Sequence, residues 1–334
     1  MSIILILFIL ALITLIVMHL RHPVFYFTDK DGLRGGKWSV ASGVKGKGGK
    51  IEPDVVLSYE DLPDRGDKDY IADPFFIKHN SRYYLFVEYY HNYRGKVAYF
   101  ESGDFKNWEF KNIVLEEKFH ISYPQVFKDN DEIYMLPEAS KSNKLTLYKA
   151  VDFPDKWERH SVLLQNIKVL DPTLVKIDGF YYIFFVDARR IQRVYISNEL
   201  HTGWKEHKSS PLGIGNLKRP GGRIFKEEGK YFLPVQNAKY GYGSSLEKQC
   251  IEVLTPGKIK VSRRTASLLK PFRNRKFFLH GTHHLDMQES EGKMFYVLDG
   301  RGTEKKSIFV FQLRASIVKN IYDILDLWGL YKFM

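Results

Sequence analysis

One phrase recurs five times along this 334-residue chain, and a repeat of that length limits the fold more than any single motif does. The copies begin "DPFFIKHNSRYYLFVE" at Asp73, "YPQVFKDNDEIYMLPE" at Tyr123, "DPTLVKIDGFYYIFFVD" at Asp171, "RPGGRIFKEEGKYFLPVQ" at Arg219 and "HLDMQESEGKMFYVLD" at His284, at steps of 50, 48, 48 and 65 residues. Tyr84, Tyr134, Tyr182 and Phe295 each stand eleven residues after their start, and Tyr231 stands twelve after its own. Trp108, Trp157 and Trp204 follow their starts by 35, 34 and 33 residues. Each unit reads as strand, polar turn, strand, turn, strand ("GKVAYFES", "NKLTLYKA", "QRVYIS"), a tryptophan turn and a fourth strand. Five four-stranded sheets at this pitch predict an all-β fold, a five-bladed propeller, which closes on itself and leaves only short, protected edges. A stacked solenoid is the competing architecture, but five copies without capping units fit a ring better. A basic insertion around Lys258 to Lys276 accounts for the long fifth step.

In a propeller whose repeats begin with the innermost strand, the five starts gather at one mouth of the central channel. The antiparallel second strand returns there, fifteen residues on at Glu88, Glu138 and Asp299 and sixteen on at Asp187. The candidate site is therefore Asp73, Asp171 and Glu138 as catalytic groups, with Glu88, Tyr123, Asp187, Arg219, His283, His284 and Asp299 as substrate-binding groups. Crowded carboxylates repel, which raises some of their pKa values and suits acid–base work on sugar hydroxyls. The bland alternative is that Asp before Pro caps a turn, which a single copy would favour over a site. If strand alternation holds, only one of His283 and His284 faces the channel, the other packing or facing solvent. Adjacent histidines among scattered acids are a poor metal signature, so no metal and no resident cofactor are assigned.

The run "IILILFILALITLIVMHL", Ile3 to Leu20, would span roughly 27 Å as a helix, about one hydrocarbon core. Positive charge follows it (Arg21, Lys30, Arg34, Lys37) and no small-x-small cleavage site is evident, so it reads as an uncleaved single-pass anchor with the chain beyond it in the cytoplasm. The net charge of +12 is concentrated beside this anchor and in the segment from Lys258 to Phe278, a pattern suited to anionic headgroups and lacking any nucleic-acid-binding motif. "GVKGKGGK", Gly43 to Lys50, lacks the Gly-Lys-Ser/Thr ending of a phosphate loop and reads as flexible basic linker. The single cysteine, Cys250, excludes an intrachain disulfide, which fits a reducing compartment. "SIVKNIYDILDLWGLYKF", Ser316 to Phe333, carries Ile317, Ile321, Ile324, Leu325 and Trp328 at helical spacing, for docking on the propeller or for the membrane interface. The expected organisation is an anchor over 1–22, a basic linker over 23–50, the propeller over 51–315 and a C-terminal amphipathic helix over 316–334.

The stretches "IADPFF…YYLFVE", "HISYPQVF…IYMLPEAS", "LYKAVDFPDKWE", "LDPTLV…YYIFFV" and "RPGGRIF" resemble the N-terminal domain of glucosamine inositolphosphorylceramide transferase proteins, over roughly Lys37 to Ala315. The resemblance implies the five-bladed propeller shared with glycoside hydrolase family forty-three, related furanosidases and levansucrases. The plant proteins carry a second, exostosin-like domain for which this chain has no room, so their named activity does not transfer with the resemblance. The family forty-three pattern has an Asp in blade one, an Asp-Pro in blade three and a general-acid Glu in blade four. Asp73 and Asp171 match the first two, while Arg219 stands at the fourth. A hydrolase needs that acid for its leaving oxygen, whereas transfer from an activated phosphate donor does not, and a guanidinium suits phosphate. The expectation is a membrane-anchored glycosyltransferase-like propeller in cell-surface polysaccharide or glycolipid assembly, using a sugar-phosphate or nucleotide-sugar donor. Its partners are then a glycan or glycolipid substrate, membrane lipids and other glycan-assembly enzymes. The alternatives are a glycoside hydrolase or transglycosidase with Glu138 as the acid, and a non-catalytic glycan-binding module.

Overall fold

The computed structural model describes residues 3–28, 37–45, 50–63, 66–303 and 308–334. It is an all-β five-bladed propeller with an N-terminal apolar helix, α1 (Ile3–Arg21), and a C-terminal helix, α2 (Leu313–Trp328). The innermost strands are Tyr70–His79, Ser122–Asp129, Leu170–Ile177, Phe225–Glu227 and Leu285–Ser290, each paired antiparallel with the strand that follows it. Five apolar clusters lie between neighbouring blades, for example Phe75, Phe86, Val126 and Met135 between blades one and two. This is how period-two strands bury both faces in a ring, and it explains the repeat's aromatic richness. The three tryptophan markers begin or precede outer strands and fill those inter-blade layers, Trp108 donating to Ser42 Oγ at 2.8 Å and Trp157 to the Pro154 carbonyl at 2.7 Å.

Two boundaries differ from expectation. Among the described residues, the linker expected over 23–50 holds two strands: Phe25–Thr28 pairs with Ile308–Phe311, and Trp38–Lys45 with Val55–Leu57 supplies the third and fourth strands of blade five. The ring is thus closed by strands from opposite ends of the propeller sequence, Val40 lying opposite Asp299. Gly43–Lys45 of the supposed loop belong to that strand, while 29–36 and 46–49, with Lys30, Arg34 and Lys47, lie outside the described residues. The basic stretch is no insertion either, since Lys258–Leu269 is the outer strand of blade four, paired with Ser245–Thr255. The helix expected over 316–334 begins at Leu313 and stops at Gly329, whose φ of 67° is the left-handed conformation that ends many helices.

Candidate active site

The recurring start is a structural device. Asp73, Tyr123 and Asp171 have φ of 48°, 50° and 49°, and each interrupts its strand's register, between Ala72 and Phe75, Ser122 and Gln125, and Leu170 and Thr173. A bulge with one residue in the left-handed region turns that side chain out of the sheet. The following prolines, Pro74, Pro124 and Pro172, lack an N–H, which an inner strand tolerates because its channel edge has no partner. Repetition of so unfavourable a backbone at three blade starts marks a place where side-chain aim matters.

The second-strand ends return to the same mouth, Ala72 opposite Glu88, Ser122 opposite Glu138 and Leu285 opposite Leu298, next to Asp299. Asp73, Glu88, Glu138, Asp171 and Asp299 are all buried there, and four of them, all but Glu88, fall in two groups. In the first, Arg219 makes a two-pronged contact with Asp171, Nε to Oδ2 at 2.5 Å and Nη2 to Oδ1 at 2.9 Å, and reaches Glu138 at 3.5 Å. The Asp171 N–H donates to Glu138 Oε2 at 3.0 Å, and the Gln236 amide donates to Asp171. Burial works to raise Asp171, but the Arg219 guanidinium outweighs it and holds the carboxyl below its ordinary value. Glu138 lacks an equivalent clamp; burial and then the Asp171 charge push it up to about 8. Near neutrality this group is mostly a carboxylic acid beside a carboxylate.

In the second group, His283 Nδ1 lies 2.6 Å from Asp299 Oδ2, and the two histidines approach Asp73 Oδ1 at 3.7 Å each, through His283 Nε2 and His284 Nδ1. Both rings therefore lie beside Asp73, although His284 is also the packed one. The regular strand begins only at Leu285, and the His283 and His284 N–H groups both donate to Asp299 Oδ1, a turn that brings both rings to one side. Burial lowers His284 to about 4, so it is neutral, packed against Phe75 and Tyr123. Burial and then the neighbouring Glu88, Asp171 and Asp299 charges raise Asp73 well above the ordinary carboxylate range. Asp73, His283 and Asp299 each offer a ligand atom within 4.8 Å of the others, a donor set able to hold a cation where the sequence suggested none.

Three expected residues have other surroundings. Tyr123 fills the channel beneath the acids, its hydroxyl 2.7 Å from Thr173 Oγ1 and accepting the Gly222 N–H at 2.6 Å. Asp187 accepts the N–H groups of Arg189 and Ile191 and pairs with Arg193, which makes it a turn cap. Glu88 meets His120 at 3.1 Å and the Tyr70 hydroxyl at 3.4 Å. Sequence reading missed Tyr242, whose ring lies 5.7 Å from the Arg219 guanidinium carbon and edge-on to His283 at 5.0 Å, and Trp38, stacked on His283 at 4.0 Å. Neither sits at a repeating position, so no register could point to them. Gln236 could have been found, because "YFLPVQ" ends where "IYMLPE" ends in Glu138.

The family model for the N-terminal region of glucosamine inositolphosphorylceramide transferase 1 matches residues 54–301, all five blades apart from the strand at 38–45. The chain belongs to this family. Curated relatives named glucosamine inositolphosphorylceramide transferase 1 are 33% identical over 248 residues in Oryza sativa subsp. japonica and 31% over 258 in Arabidopsis thaliana, covering 70% and 72% of this chain. In both cases the match spans 33% of the relative, so the chain corresponds to about a third of their length. Among solved structures, a family-32 β-fructofuranosidase of Bombyx mori superposes with a TM-score of 0.52 at 16% identity, covering 68% of this chain and 54% of that one. An α-L-arabinofuranosidase of Podospora anserina does so with a TM-score of 0.51 at 12% identity, covering 79% and 98%. At such identities these two establish the fold alone. They agree with the expected fold.

Proposed function

We propose that this member of the glucosamine inositolphosphorylceramide transferase 1 N-terminal family is a membrane-anchored, glycosyltransferase-like propeller of cell-surface polysaccharide or glycolipid assembly. The observation that carries the reading is Arg219 at the start of blade four, gripped by Asp171 through Nε and Nη2. That grip leaves the two N–H groups of Nη1 for a donor phosphate. In the reaction the acceptor hydroxyl oxygen attacks the anomeric carbon as the bond to the phosphate oxygen breaks. The phosphate leaves with the electron pair, beside Arg219, and the acceptor proton passes to ionised Asp73, whose raised proton affinity suits a base. Asp171 and Glu138 orient the guanidinium. α1 anchors the protein, and the Lys/Arg excess after it puts the propeller on the cytoplasmic side.

One observation favours a second reading. Glu138, protonated up to about pH 8, is in the state a general acid needs, which supports a glycoside hydrolase or transglycosidase. The two separate in one experiment on the full chain in lipid nanodiscs, offered a panel of nucleotide sugars with lipid-linked acceptors and, separately, aryl furanosides and pyranosides. Transferase action predicts sugar transfer that is lost in Asp73→Asn and weakened in Arg219→Gln. Aryl glycoside turnover abolished by Glu138→Gln, without transfer anywhere in the panel, replaces it with the hydrolase reading.

A further inference from the structure

α2 is amphipathic with its faces reversed. Ser316, Lys319, Asn320, Asp323 and Asp326 face the protein, while Leu313, Ile317, Ile321, Ile324 and Trp328 point outward, Trp328 with 74% of its surface exposed. The inward polar face is used. Asp326 takes the Ile214 N–H at 3.0 Å and pairs with Lys218 at 3.2 Å, and Lys319 donates to the Ala238 carbonyl. Beside it, the ribbon of Phe25–Thr28 and Ile308–Phe311 sets Phe25 opposite Phe311 and Phe27 opposite Phe309, so four phenylalanines share one exposed face. Tyr26 and Thr28, on the other face, are buried.

Both surfaces are continuous with α1. Asn320 donates to the Met18 carbonyl, His22 meets Asp323 at 2.9 Å, and the His19 ring lies 4.4 Å from that of Phe25. They also sit on the loops that form the mouth. Lys218 precedes Arg219, and the Tyr26 ring is 6.2 Å from Tyr240, two residues before Tyr242 over the site. A contiguous exposed apolar surface of this kind needs an apolar neighbour, and the helix lying against it is long and apolar enough to cross a membrane.

We propose that the four-phenylalanine ribbon and the outward stripe of α2 lie in the membrane interface beside α1, holding the channel mouth against the bilayer. This rests on the reading of α1 as a membrane span.

The test uses the full chain in vesicles of phosphatidylcholine with phosphatidylglycerol, in a Cys250→Ser background. Single cysteines at Leu12, Phe27, Phe309, Ile321, Tyr240 and Lys293 each carry an environment-sensitive fluorophore. Apart from Cys250 these positions are exposed, so unchanged melting is expected and checked first. Probes at Phe27, Phe309 and Ile321 should be shielded from aqueous iodide and quenched by shallow nitroxide lipids. The Tyr240 probe should lie at headgroup depth and the Lys293 probe, just after the far-end turn at Glu291–Gly292, should be free in water. A lipid-embedded Leu12 probe with Phe27, Phe309 and Ile321 in water overturns the inference and leaves the anchor standing. Shielding from iodide without quenching by nitroxide lipids means a protein covers the surface, and also overturns it. A Tyr240 probe as far from lipid as Lys293 refutes the orientation of the mouth. A Leu12 probe in water removes the anchor and this inference together.

Discussion

Glu138 links the electrostatics of the site to a measurable property of the whole fold. Its carboxyl is raised from 4.5 to about 8, by burial first and by the Asp171 charge second. A raised folded-state value means that its contribution to stability is fully present below about pH 4.5. It is lost as pH climbs towards 8, because the unfolded chain ionises while the folded one must keep its proton. At 1.36 kcal/mol for each tenfold change in proton affinity, the loss reaches about 5 kcal/mol. That is an upper figure, since Arg219 and the Asp171 N–H favour the ionised form once it arises. Asp171 has the opposite sign, lowered in the fold and stabilising above its ordinary value, and Asp73 has the same sign as Glu138. Glu138→Gln removes one titration and keeps an amide oxygen able to accept the Asp171 N–H, so the difference between variant and parent isolates Glu138. Melting of both proteins in nanodiscs from about pH 5 to about pH 9 should show the parent losing stability relative to the variant. At roughly 2 °C per kcal/mol the gap should widen by on the order of 5–10 °C. Parallel profiles across that range would refute the reasoning, because they require Glu138 to ionise alike in folded and unfolded chains.

Removing residues 1–50 takes away the strand that closes blade five, exposing the Phe295 and Val297 layer, and should yield aggregated protein with no cooperative melting transition. Gly222→Ala should be among the most damaging single substitutions: its φ is 136°, and a Cβ there would fall 1.8 Å from the Leu285 carbonyl oxygen, so soluble yield should collapse. Gly229→Ala is its control, also at positive φ but with nothing within 4 Å of the new methyl, and should cost only about 1 kcal/mol in urea denaturation. Tyr123→Phe deprives the buried Gly222 N–H of its acceptor and should destabilise by about 1–3 kcal/mol, with substrate affinity unchanged if the ring only plugs the channel.

The parts of this molecule legible in the sequence are those the repeat enforces. Asp73, Glu138 and Asp171 stand at near-constant distances from aromatic and tryptophan markers, and Arg219 twelve residues before Tyr231, and such distance along a repeated unit becomes position around a ring. What escaped notice obeys no local period. The closing strand Trp38–Lys45 pairs with residues some 250 positions away, and nothing within it announces that partner. Lys258–Leu269 is an outer strand with only Ile259 and Leu269 buried, and its pairing is broken by three register shifts, so neither apolar alternation nor uniform spacing survives to be read. The histidine pair departs from alternation for a related reason, since both residues precede their strand.

The C-terminal helix shows a deeper limit. Its apolar stripe forms one face, and in a soluble protein such a face normally turns inward. Periodicity, however, says that two faces differ and not which of them meets the protein. Here the docking ground is polar backbone: the carbonyls of His22 and Ala238 and the N–H of Ile214, beside a Met18 carbonyl that already accepts the His22 N–H. Ser316, Lys319 and Asp326 answer the first three, and an apolar face placed against them would have cost those bonds, about 1–3 kcal/mol each. The polar face therefore wins the contact with the propeller. The exposed apolar stripe follows from that choice, and the proposed membrane contact beside α1 would make it tolerable.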